Sequence, residues 1–281
     1  MDLLVIGGSG YLGAEVVRRA LAEGRSVGAT HLRRHATAAG AADGDAGRVS
    51  WHRLDVRDRA AVVGLVTRLR PTTVVNAAYR QSQWVTTADG AASVALGAAA
   101  AGARLVHVSS DAVFSGGAPS YDEQAHPDPT SAYGAAKAAA ETSVAAVSPD
   151  AAVVRTSLIV GSDGGSPHER RVHALASGAA SGVLFTDDVR CAVHVADLAA
   201  ALLELTGHAV RGVLHVAGAD PVSRHELAVL IARRDGLDPV RLPTGLRAAT
   251  AVPGPLDVRL DCTSTQRLLG TRLRGAREFL S

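Results

Sequence analysis

The chain has 281 residues, of which 47% are hydrophobic and 20% charged, and its formal net charge is +2. This length and apolar content suit one large α/β domain or a parallel-sheet domain with a smaller partner, and the small charge argues against a nucleic-acid or polybasic membrane surface. Cys191 and Cys262 fit neither a disulfide framework nor a zinc site, so we expect reduced thiols and a cytoplasmic location. The N-terminus lacks the basic region of a signal peptide, and no apolar run is long enough to span a membrane.

Short apolar runs alternate with helical segments in the first half of the chain. Strands are predicted at 2–6, 26–30, 49–54, 73–75, 105–108 and 152–155. Helices are predicted at 14–23, 58–69, 88–101 and 131–147. This alternation predicts an α/β fold with a Rossmann-type, doubly wound parallel sheet over 1–155. The rhythm then loosens, with helices predicted at 168–177, 193–205 and 223–233 and a strand at 212–216. We therefore expect a smaller C-terminal α/β domain over 156–281, and the pattern leaves open whether it is interwoven with the first.

The first predicted strand runs into a glycine-rich turn, and a helix follows. Gly7, Gly10 and Gly13 stand in the pattern Gly-x-x-Gly-x-x-Gly, which in this strand–turn–helix context predicts a dinucleotide site. The glycines would allow the sharp turn, the approach of backbone to the pyrophosphate, and close packing of the helix on the sheet. Cofactor contacts are predicted for Gly7, Ser9, Gly10, Tyr11, Leu12, Gly13, Thr30, Arg33, Arg34, Asp55, Val56, Asn76, Ala77, Ala78, Tyr133 and Lys137.

The end of the second predicted strand bears on the choice of cofactor. An NAD site would place an acid there to bind the ribose 2′-hydroxyl, but Ala29-Thr30-His31-Leu32-Arg33-Arg34 contains none. Arg33 and Arg34 could instead pair with a 2′-phosphate, although a solvated basic turn is the structural alternative. NADP(H) is therefore the predicted cofactor, and NAD(H) is the alternative.

Tyr133 and Lys137 are four residues apart on a predicted helix, so they share one face of it. An ammonium group close to a phenol lowers the phenol's pKa and prepares it for proton transfer near neutral pH. Ser110, which follows another strand, can hydrogen-bond the same carbonyl oxygen. Each motif alone has a structural interpretation, but their conjunction and order predict a carbonyl reductase with Ser110, Tyr133 and Lys137 as catalytic residues.

With these motifs the chain resembles extended short-chain dehydrogenases/reductases over most of its length. Within that group it is most similar to dTDP-4-dehydrorhamnose reductases and related sugar-nucleotide-binding proteins. The resemblance is carried by Ser109-Ser110-Asp111-Ala112-Val113-Phe114-Ser115-Gly116, Tyr121-Asp122-Glu123 with Pro127, Tyr133-Gly134-x-x-Lys137-x-x-x-Glu141, Val154-Arg155-Thr156-Ser157 and Asp197-Leu198-Ala199. It implies that Ser110 takes the place of the catalytic Thr or Ser, that Tyr133 is the acid, and that Lys137 lowers its pKa and binds the nicotinamide ribose.

The resemblance also implies the class of substrate, a small-molecule ketone carried as a nucleotide-linked 4-keto-6-deoxy sugar. Substrate contacts are predicted for Tyr79, Arg80, Ser110, Asp111, Arg190 and His194, and 156–281 is the expected substrate-binding domain. Arg190 could clamp a phosphate and His194 could hydrogen-bond a sugar, while a loop salt bridge with a helix cap is the alternative for both. The oligomeric state is left open, a homodimer included.

Other chemistries are weighed against this interpretation. A sugar-nucleotide 4,6-dehydratase would carry Thr-Asp-Glu where Ser110-Asp111-Ala112 stands, which favours simple reduction. A non-catalytic NADP-binding regulatory protein and a reductase of a non-sugar ketone are the alternatives that remain. His168 and His173 are five residues apart rather than four, so with Glu169 they do not form a metalloprotease helix; we interpret all three as surface residues and expect no metal.

Overall fold

The computed structural model describes residues 1–33, 49–251 and 253–281. The strands in these ranges are β1 (Leu3–Ile6), β2 (Val27–His31), β3 (Val49–Arg53), β4 (Thr73–Asn76), β5 (Arg104–Ser110), β6 (Ala152–Thr156), β7 (Ile159–Val160), β8 (Leu184–Phe185), β9 (Val189–Arg190), β10 (Val193–His194), β11 (Gly212–His215), β12 (Val222–Ser223), β13 (Thr244–Gly245) and β14 (Asp257–Val258). The α-helices are α1 (Tyr11–Ala22), α2 (Arg59–Leu69), α3 (Gly90–Ala101), α4 (Ala132–Val147), α5 (Pro167–Ala176), α6 (Val195–Gly207), α7 (Arg224–Arg234), α8 (Thr263–Leu268) and α9 (Ala276–Phe279). A π-helix covers Val85–Asp89, and 3-10 helices cover Asp111–Val113, Pro239–Arg241 and Arg247–Ala249.

Seven strands form the main sheet, in the order β11-β6-β5-β4-β1-β2-β3. β1 pairs in parallel with both β2 and β4, and the β2–β3 and β4–β5 pairs are parallel as well. Every residue of β1 is buried, as expected for a continuous apolar strand covered on both faces. The strand order changes direction between β1 and β4, which is the position where doubly wound sheets bind ligands. The predicted Rossmann-type α/β class is therefore confirmed.

Side-chain caps begin several of the helices. Asp58 accepts a hydrogen bond from the Ala61 N–H at 3.0 Å, which confirms the cap predicted for α2. Ser223 accepts one from the Glu226 N–H, also at 3.0 Å, at the start of α7. At α5, Ser166 and Glu169 form a reciprocal capping box on either side of Pro167, the first residue of the helix. The predicted start at residue 168 did not use this sequence signal.

Three predicted helix starts were wrong. α1 begins at Tyr11 instead of residue 14 because Gly10 is already the residue that precedes its first turn. The helix predicted from residue 88 is preceded by the π-helix Val85–Asp89, which simple 3.6-residue periodicity does not reveal. Val193 and His194, predicted as helical, instead form β10, because they pair in parallel with a short strand more than thirty residues earlier.

The chain folds into two compact units, each built from three segments. Unit 1 contains Met1–Ser109, Ala132–Val154 and Ala199–Leu214. Unit 2 contains Ser110–Ser131, Arg155–Leu198 and His215–Ser281. The assignment of cofactor binding to 1–155 and substrate binding to 156–281 stays a prediction.

Each unit has its own hydrophobic core. In unit 1, α2 packs on α3 through small and branched side chains, and a Cβ atom on Gly97 would lie 3.2 Å from the Cβ of Val66. In unit 2, the core includes Val172 of α5 with Leu227 and Ile231 of α7. Cys191 and Cys262 are free thiols, as expected, and burial raises their pKa values to about 11 and about 12. Among the described residues, no helix combines the length and the apolar character needed to cross a membrane.

The packing of α1 on the glycine turn predicts opposite outcomes for two Gly→Ala substitutions. A Cβ atom on Gly13 would clash with the carbonyl oxygen of Gly7, whereas a Cβ atom on Gly64, inside α2, meets nothing within 4 Å. Gly13→Ala should lower the free energy of unfolding by about 1–3 kcal/mol through overpacking. Gly64→Ala should raise it by up to about 1 kcal/mol through helix propensity. Urea unfolding of both variants tests this, and equal changes would contradict the proposed packing.

Candidate active site

The turn after β1 lies against the end of β4. Gly7 has φ +83°, which favours glycine, and a Cβ atom there would lie only 2.9 Å from the Ala78 backbone nitrogen. The Gly7 N–H donates to the Thr30 hydroxyl at 2.9 Å. Thr30, predicted as a cofactor contact, thus stabilises the glycine turn from β2.

The glycine turn leaves the N-terminus of α1 without a side-chain cap. Gly10 is the capping residue and offers no side chain, although its carbonyl accepts from the Ala14 N–H at 2.8 Å. Backbone N–H groups in the first turn of a helix, together with the helix dipole, favour an anion. The turn and helix therefore fit the pyrophosphate of a dinucleotide.

The end of β4 is fixed by a buried amide. The side-chain oxygen of Asn76 accepts from the Ala78 N–H at 3.1 Å, and its nitrogen lies 3.2 Å from Nδ1 of His107 in β5. Ala77 donates its N–H to the Ile6 carbonyl at 3.0 Å, which joins this turn to β1. Burial, with a smaller contribution from Lys137, lowers the pKa of His107 to about 3. His107 is therefore neutral, and Asn76 shapes the surface on which a cofactor would lie.

Lys137 carries a buried ammonium group on α4. Its side chain is 3% exposed, and Nζ donates to the Val108 carbonyl of β5 at 2.9 Å. Nζ also lies 5.2 Å from the centre of the Tyr79 ring, within cation–π range. Burial lowers the Lys137 pKa to about 8, while the Glu141 carboxylate opposes the shift. The amine is thus mostly protonated at neutral pH and close to its titration point.

Two phenols accompany this lysine. The ring centres of Tyr79 and Tyr133 are 5.9 Å apart at an interplanar angle of 47°. Tyr79 is 55% exposed, so one part of its ring packs on the lysine while the rest faces solvent. Unit 1 therefore brings together Tyr133 and Lys137, predicted as catalytic, with Tyr79, predicted as a substrate contact.

Glu141 and Ser109 support the same face of α4. The Ser109 hydroxyl donates to Oε1 of Glu141 at 2.5 Å, and both side chains are buried. Glu141 lies one helical turn beyond Lys137. The sequence prediction gave neither residue a role, although the four-residue spacing from Lys137 was a usable signal.

A second missed signal is compositional. Lys137 is the only lysine in the sequence, and the other 28 of its 29 basic Lys and Arg residues are arginines. Arginine remains charged under almost all conditions, whereas the compact ammonium of lysine shifts its pKa readily on burial. A chain that uses arginine at every other basic position has lysine at the one position where a titratable ammonium lies beside a phenol.

The loop that carries Tyr79 is fixed through its neighbour. The hydroxyl of buried Thr87, in the π-helix, accepts from the Arg80 N–H at 3.1 Å and donates to the Arg80 carbonyl at 2.9 Å. Arg80 was predicted to contact substrate. What the structure defines is its backbone, which the Thr87 hydroxyl holds from both sides.

Ser110 ends β5 and caps the following 3-10 helix. Its Oγ accepts from the Ala112 N–H at 3.2 Å, and its hydroxyl donates to Oδ1 of Asp111 at 3.2 Å. Oδ2 of Asp111 accepts from the Ser157 hydroxyl at 2.6 Å. The Asp111 side chain is therefore buried in contacts within unit 2.

Arg190 is buried in an ion-pair cluster. Its Nη1 lies 2.9 Å from Oδ1 of Asp188, and its Nη2 donates to the Pro255 carbonyl at 2.8 Å. Arg224 and Arg247 also approach Asp188, at 3.3 and 3.0 Å. This geometry is the salt bridge that the sequence left open as an alternative. A substrate contact by Arg190 would have to replace these bonds.

Both ring nitrogens of His194 have partners in unit 2. Nδ1 accepts from the Ala196 N–H at 3.2 Å, so Nε2 carries the proton and lies 2.9 Å from the Ser162 hydroxyl. The ring also packs edge-on against Phe279. The hydrogen bond to Ala196 places His194 at the start of α6, and a sugar contact would have to displace one of these partners.

A cavity of about 180 Å³ lies wholly within unit 2, and we call it the arginine-lined cavity. It is lined by His168, Arg171, Val172, Val183, Leu184, Phe185, Asp188, Arg224, Leu227, Ala228, Ile231 and Arg247. Burial and the Arg224 guanidinium lower the pKa of His168 to about 4, so the charged lining is three guanidinium groups against one carboxylate. Arg247 also lies over the Phe185 ring, 5.8 Å from its centre. The cavity therefore combines an anion-attracting wall with an apolar one.

Ser9, Tyr11 and Leu12, also predicted to contact the cofactor, lie in the glycine turn and the start of α1, and the others follow β2 and β3. Arg33 is exposed after β2, and Arg34 lies outside the described residues. The Asp55 carboxylate pairs with Arg57 at 2.6 Å, and burial of Val56 places its side chain against Gly90. Any adenine contact by Asp55 would compete with that ion pair.

The interpretation of Glu169 as a surface residue was wrong. Its carboxylate is fully buried, since it closes the capping box of α5 and pairs with Arg234 at 2.6 Å. His173 pairs with Asp235 at 2.6 Å, which fixes the same end of α7 to α5. In the described ranges, no three His, Cys, Asp or Glu side chains are grouped so as to hold a metal ion.

A family comparison covers the whole chain. The sequence model described as the RmlD substrate binding domain matches residues 1–281. The chain belongs to the RmlD substrate-binding domain family. The match spans both the glycine turn and the arginine-lined cavity.

Two relatives of this RmlD-family chain carry different names. It is 33% identical over 269 residues to a dTDP-4-dehydrorhamnose reductase of Mycobacterium tuberculosis (strain CDC 1551 / Oshkosh), covering 90% of this chain and 82% of that protein. It is 30% identical over 250 residues to methionine adenosyltransferase 2 subunit beta of Xenopus laevis, covering 76% and 70%. The crystal structure of a Bacillus anthracis dTDP-4-dehydrorhamnose reductase in complex with NADP shares the fold, with a TM-score of 0.81 at 23% identity over 99% of this chain and 96% of that one.

The burial of Lys137 predicts a pH-dependent stability difference. Because its folded pKa of about 8 lies below the ordinary 10.5, the unfolded chain binds more protons between these values, and stability from this group rises with pH across that window. Relative to Lys137→Met, the wild-type free energy of unfolding should rise by up to about 3 kcal/mol, at roughly 1.36 kcal/mol per pKa unit. Urea unfolding of both proteins at several pH values measures it; a difference that does not change with pH would contradict the burial.

Proposed function

We propose that this protein is an NADP(H)-dependent oxidoreductase that reduces the keto group of a nucleotide-linked 4-keto-6-deoxy sugar. The observation that carries the proposal is the buried Lys137 ammonium, one helical turn beyond Tyr133, in the unit that also contains a dinucleotide-type glycine turn. The name of the Mycobacterium tuberculosis relative supports the reaction class.

The residues around the glycine turn fit the cofactor. Gly7, Gly10 and the uncapped N-terminus of α1 would bind its pyrophosphate, and Lys137 would bind its nicotinamide ribose. Arg33 and Arg34 would bind the 2′-phosphate. When bound, a reduced nicotinamide would supply a hydride for the carbonyl carbon. The NADP complex of the Bacillus anthracis neighbour supports this choice of dinucleotide.

Two side chains act on the carbonyl oxygen in this proposal, and a third acts through one of them. Ser110 orients the oxygen by donating a hydrogen bond, and Tyr133 donates the proton that completes the alcohol. The Lys137 ammonium stabilises the phenolate that remains on Tyr133, which makes that phenol a stronger acid. Solvent protons then restore Tyr133 for the next turnover.

The arginine-lined cavity favours a nucleotide-linked substrate over a simple ketone. Three guanidinium groups suit a diphosphate, since each can donate two parallel hydrogen bonds to phosphate oxygens. The Phe185 ring and the aliphatic residues beside it suit a nucleobase. Asp188 pairs with Arg224 and Arg247 but leaves the wall with a net positive charge, which suits an anionic nucleotide-linked substrate better than a small neutral ketone.

A second candidate is a non-catalytic NADP-binding regulatory protein. The observation that favours it is the relative named methionine adenosyltransferase 2 subunit beta, at 30% identity. The presence of Ser110, Tyr133 and Lys137 favours catalysis instead, because a binding protein has no need of a proton donor beside a buried ammonium. The two candidates differ in one measurable respect, namely consumption of NADPH in the presence of a ketone.

The catalytic role of Tyr133 predicts a selective loss of turnover. Tyr133→Phe keeps the ring and removes the proton donor, so it should leave NADPH affinity nearly unchanged and lower kcat by roughly a hundredfold or more. NADPH absorbance with dTDP-4-dehydrorhamnose as substrate measures kcat, and fluorescence titration measures affinity.

The neighbouring phenol provides the matched control. Tyr79→Phe keeps the ring that packs on Lys137 and should remain at least about tenfold faster than Tyr133→Phe. A Tyr133→Phe variant that turns over at the wild-type rate would refute the mechanism. Binding of NADPH without turnover of any ketone by the wild type would favour the regulatory candidate.

Arg33 and Arg34, which follow β2 in the sequence, predict the cofactor preference. NADPH should bind more tightly than NADH, and replacing Arg33 and Arg34 with Ala should weaken NADPH by about tenfold or more while changing NADH little. A matched variant replaces Arg211 and Arg272, both about three-quarters exposed, and removes the same charge elsewhere. Equal weakening of both cofactors, or equal effects of the two double variants, would show that these arginines do not contact the 2′-phosphate.

A further inference from the structure

One buried hydroxyl closes the loop that carries Tyr79. Thr87 is 1% exposed, and its Oγ1 accepts from the Arg80 N–H at 3.1 Å and donates to the Arg80 carbonyl at 2.9 Å. The hydroxyl has one hydrogen and gives it to the carbonyl, so both bonds form at the same time. Because no step of the proposed reaction uses this hydroxyl, both bonds can persist throughout a turnover.

Further hydrogen bonds fix the loop on both sides of Tyr79. The Arg80 carbonyl also accepts from the Gln83 N–H at 2.9 Å, which closes a turn just before the π-helix. On the other side, the Ala78 N–H donates to the side-chain oxygen of Asn76 at 3.1 Å. Tyr79 therefore lies between two backbone positions that the fold of unit 1 holds in place.

The π-helix Val85–Asp89, which contains Thr87, packs against α4. Because α4 carries Tyr133 and Lys137, the Thr87 hydroxyl ties the loop to the helix of these two residues. The centre of the Tyr79 ring lies 5.2 Å from Nζ of Lys137 and 5.9 Å from the centre of the Tyr133 ring. π-Helices are rare and frequently occur at functional sites. The Thr87 contacts therefore determine where the Tyr79 ring meets both side chains.

We propose that Thr87 is a positioning residue, which acts through the Tyr79 ring on Tyr133 and Lys137. The inference rests on the proposed function, in which Tyr133 donates a proton and Lys137 stabilises the phenolate. A ring packed on both groups limits the movement of the phenol and keeps the ammonium within cation–π range. Such restraint matters because a misplacement of about 1 Å can cost up to about a hundredfold in rate.

Two substitutions at Thr87 separate its hydroxyl from its shape. Thr87→Val fills nearly the same space but removes both bonds to Arg80, so the loop should move and kcat should fall about tenfold. Thr87→Ser keeps the hydroxyl and should stay within about twofold of the wild-type kcat. A Thr87→Val variant at the wild-type rate, or a Thr87→Ser variant that is equally impaired, would overturn the proposal.

The single lysine of the chain reports on the ring in the absence of any substrate. The ring current of Tyr79 should shift the NMR signal of the Cε protons of Lys137, the only source of a lysine signal. Thr87→Val should move this signal toward its position in a Tyr79→Leu variant, and Thr87→Ser should leave it at the wild-type position. A signal that Thr87→Val leaves unchanged would overturn the proposal, whether or not Tyr79→Leu shifts it.

A double-mutant cycle tests whether Thr87 acts through Tyr79. Tyr79→Leu should itself lower kcat, and Thr87→Val should cause no further loss in that background, because the ring that it positions is gone. An equal loss in both backgrounds would assign the effect to Arg80 or to the fold. That result, or a Tyr79→Leu variant with wild-type kcat, would overturn this inference and leave the proposed function intact. A wild-type protein that reduces no ketone would overturn both.

A neighbouring threonine provides the matched control. The Thr86 hydroxyl, in the same π-helix, donates to Oε1 of Gln83 at 2.9 Å. This bond joins two side chains and does not hold Arg80, so Thr86→Val should leave kcat and the Lys137 signal unchanged. Equal effects of Thr86→Val and Thr87→Val would assign them to the π-helix as a whole and overturn the proposal.

Hydrogen exchange of the wild-type protein decides if Thr87→Val fails to fold. An Arg80 N–H that is bound to the buried Thr87 hydroxyl should exchange more slowly than the amide of an unstructured peptide. Exchange at the unstructured rate would show that the loop is not held by Thr87 and would overturn the proposal.

Discussion

The burial of the Lys137 ammonium group is the constraint on which the rest of the site depends. A buried, unpaired charge would cost several kcal/mol, so the fold must supply partners for it. It does so with the Val108 carbonyl, the face of the Tyr79 ring, and the Glu141 carboxylate one turn along the helix. These partners only partly offset the cost, since the pKa remains lowered to about 8. The amine is thereby close to titration while still able to stabilise a phenolate.

The parallel sheet brings several parts of the site to one edge. β1, β4 and β5 are neighbours, so the glycine turn, the Asn76–Ala78 turn and Val108 all fall at their carboxyl ends. Gly7 approaches Ala78 so closely that a Cβ atom on Gly7 would lie 2.9 Å from the Ala78 backbone nitrogen, and Tyr79 is the next residue in the chain. The glycine turn and the loop that carries Tyr79 are therefore positioned by neighbouring strand ends. In unit 2, a carboxylate shared by three arginines fixes the wall of the arginine-lined cavity.

The sequence alone predicted those features of the fold and the site that short, local residue patterns encode. The β–α alternation, the Asp58 cap and the four-residue step from Tyr133 to Lys137 are local, and the structure contains all three. The sequence left a salt bridge of Arg190 open, since Asp188 is close in sequence, but it did not predict the contact with the Pro255 carbonyl, which only the fold brings there. Two-residue strands such as β10 were missed because they show no periodicity of their own. The solitary lysine was visible in the sequence throughout and is the signal that would have weighted Lys137 most strongly.

That solitary lysine also permits the most direct test of the account. Protein labelled with carbon-13 at the lysine Cε position gives one side-chain NMR signal, which needs no assignment because Lys137 is its only source. Titration of the wild-type protein should give a midpoint near the pKa of about 8 that burial imposes. A midpoint at the ordinary lysine value of 10.5 would show a solvated ammonium and would contradict the buried Lys137 on which the proposed chemistry rests.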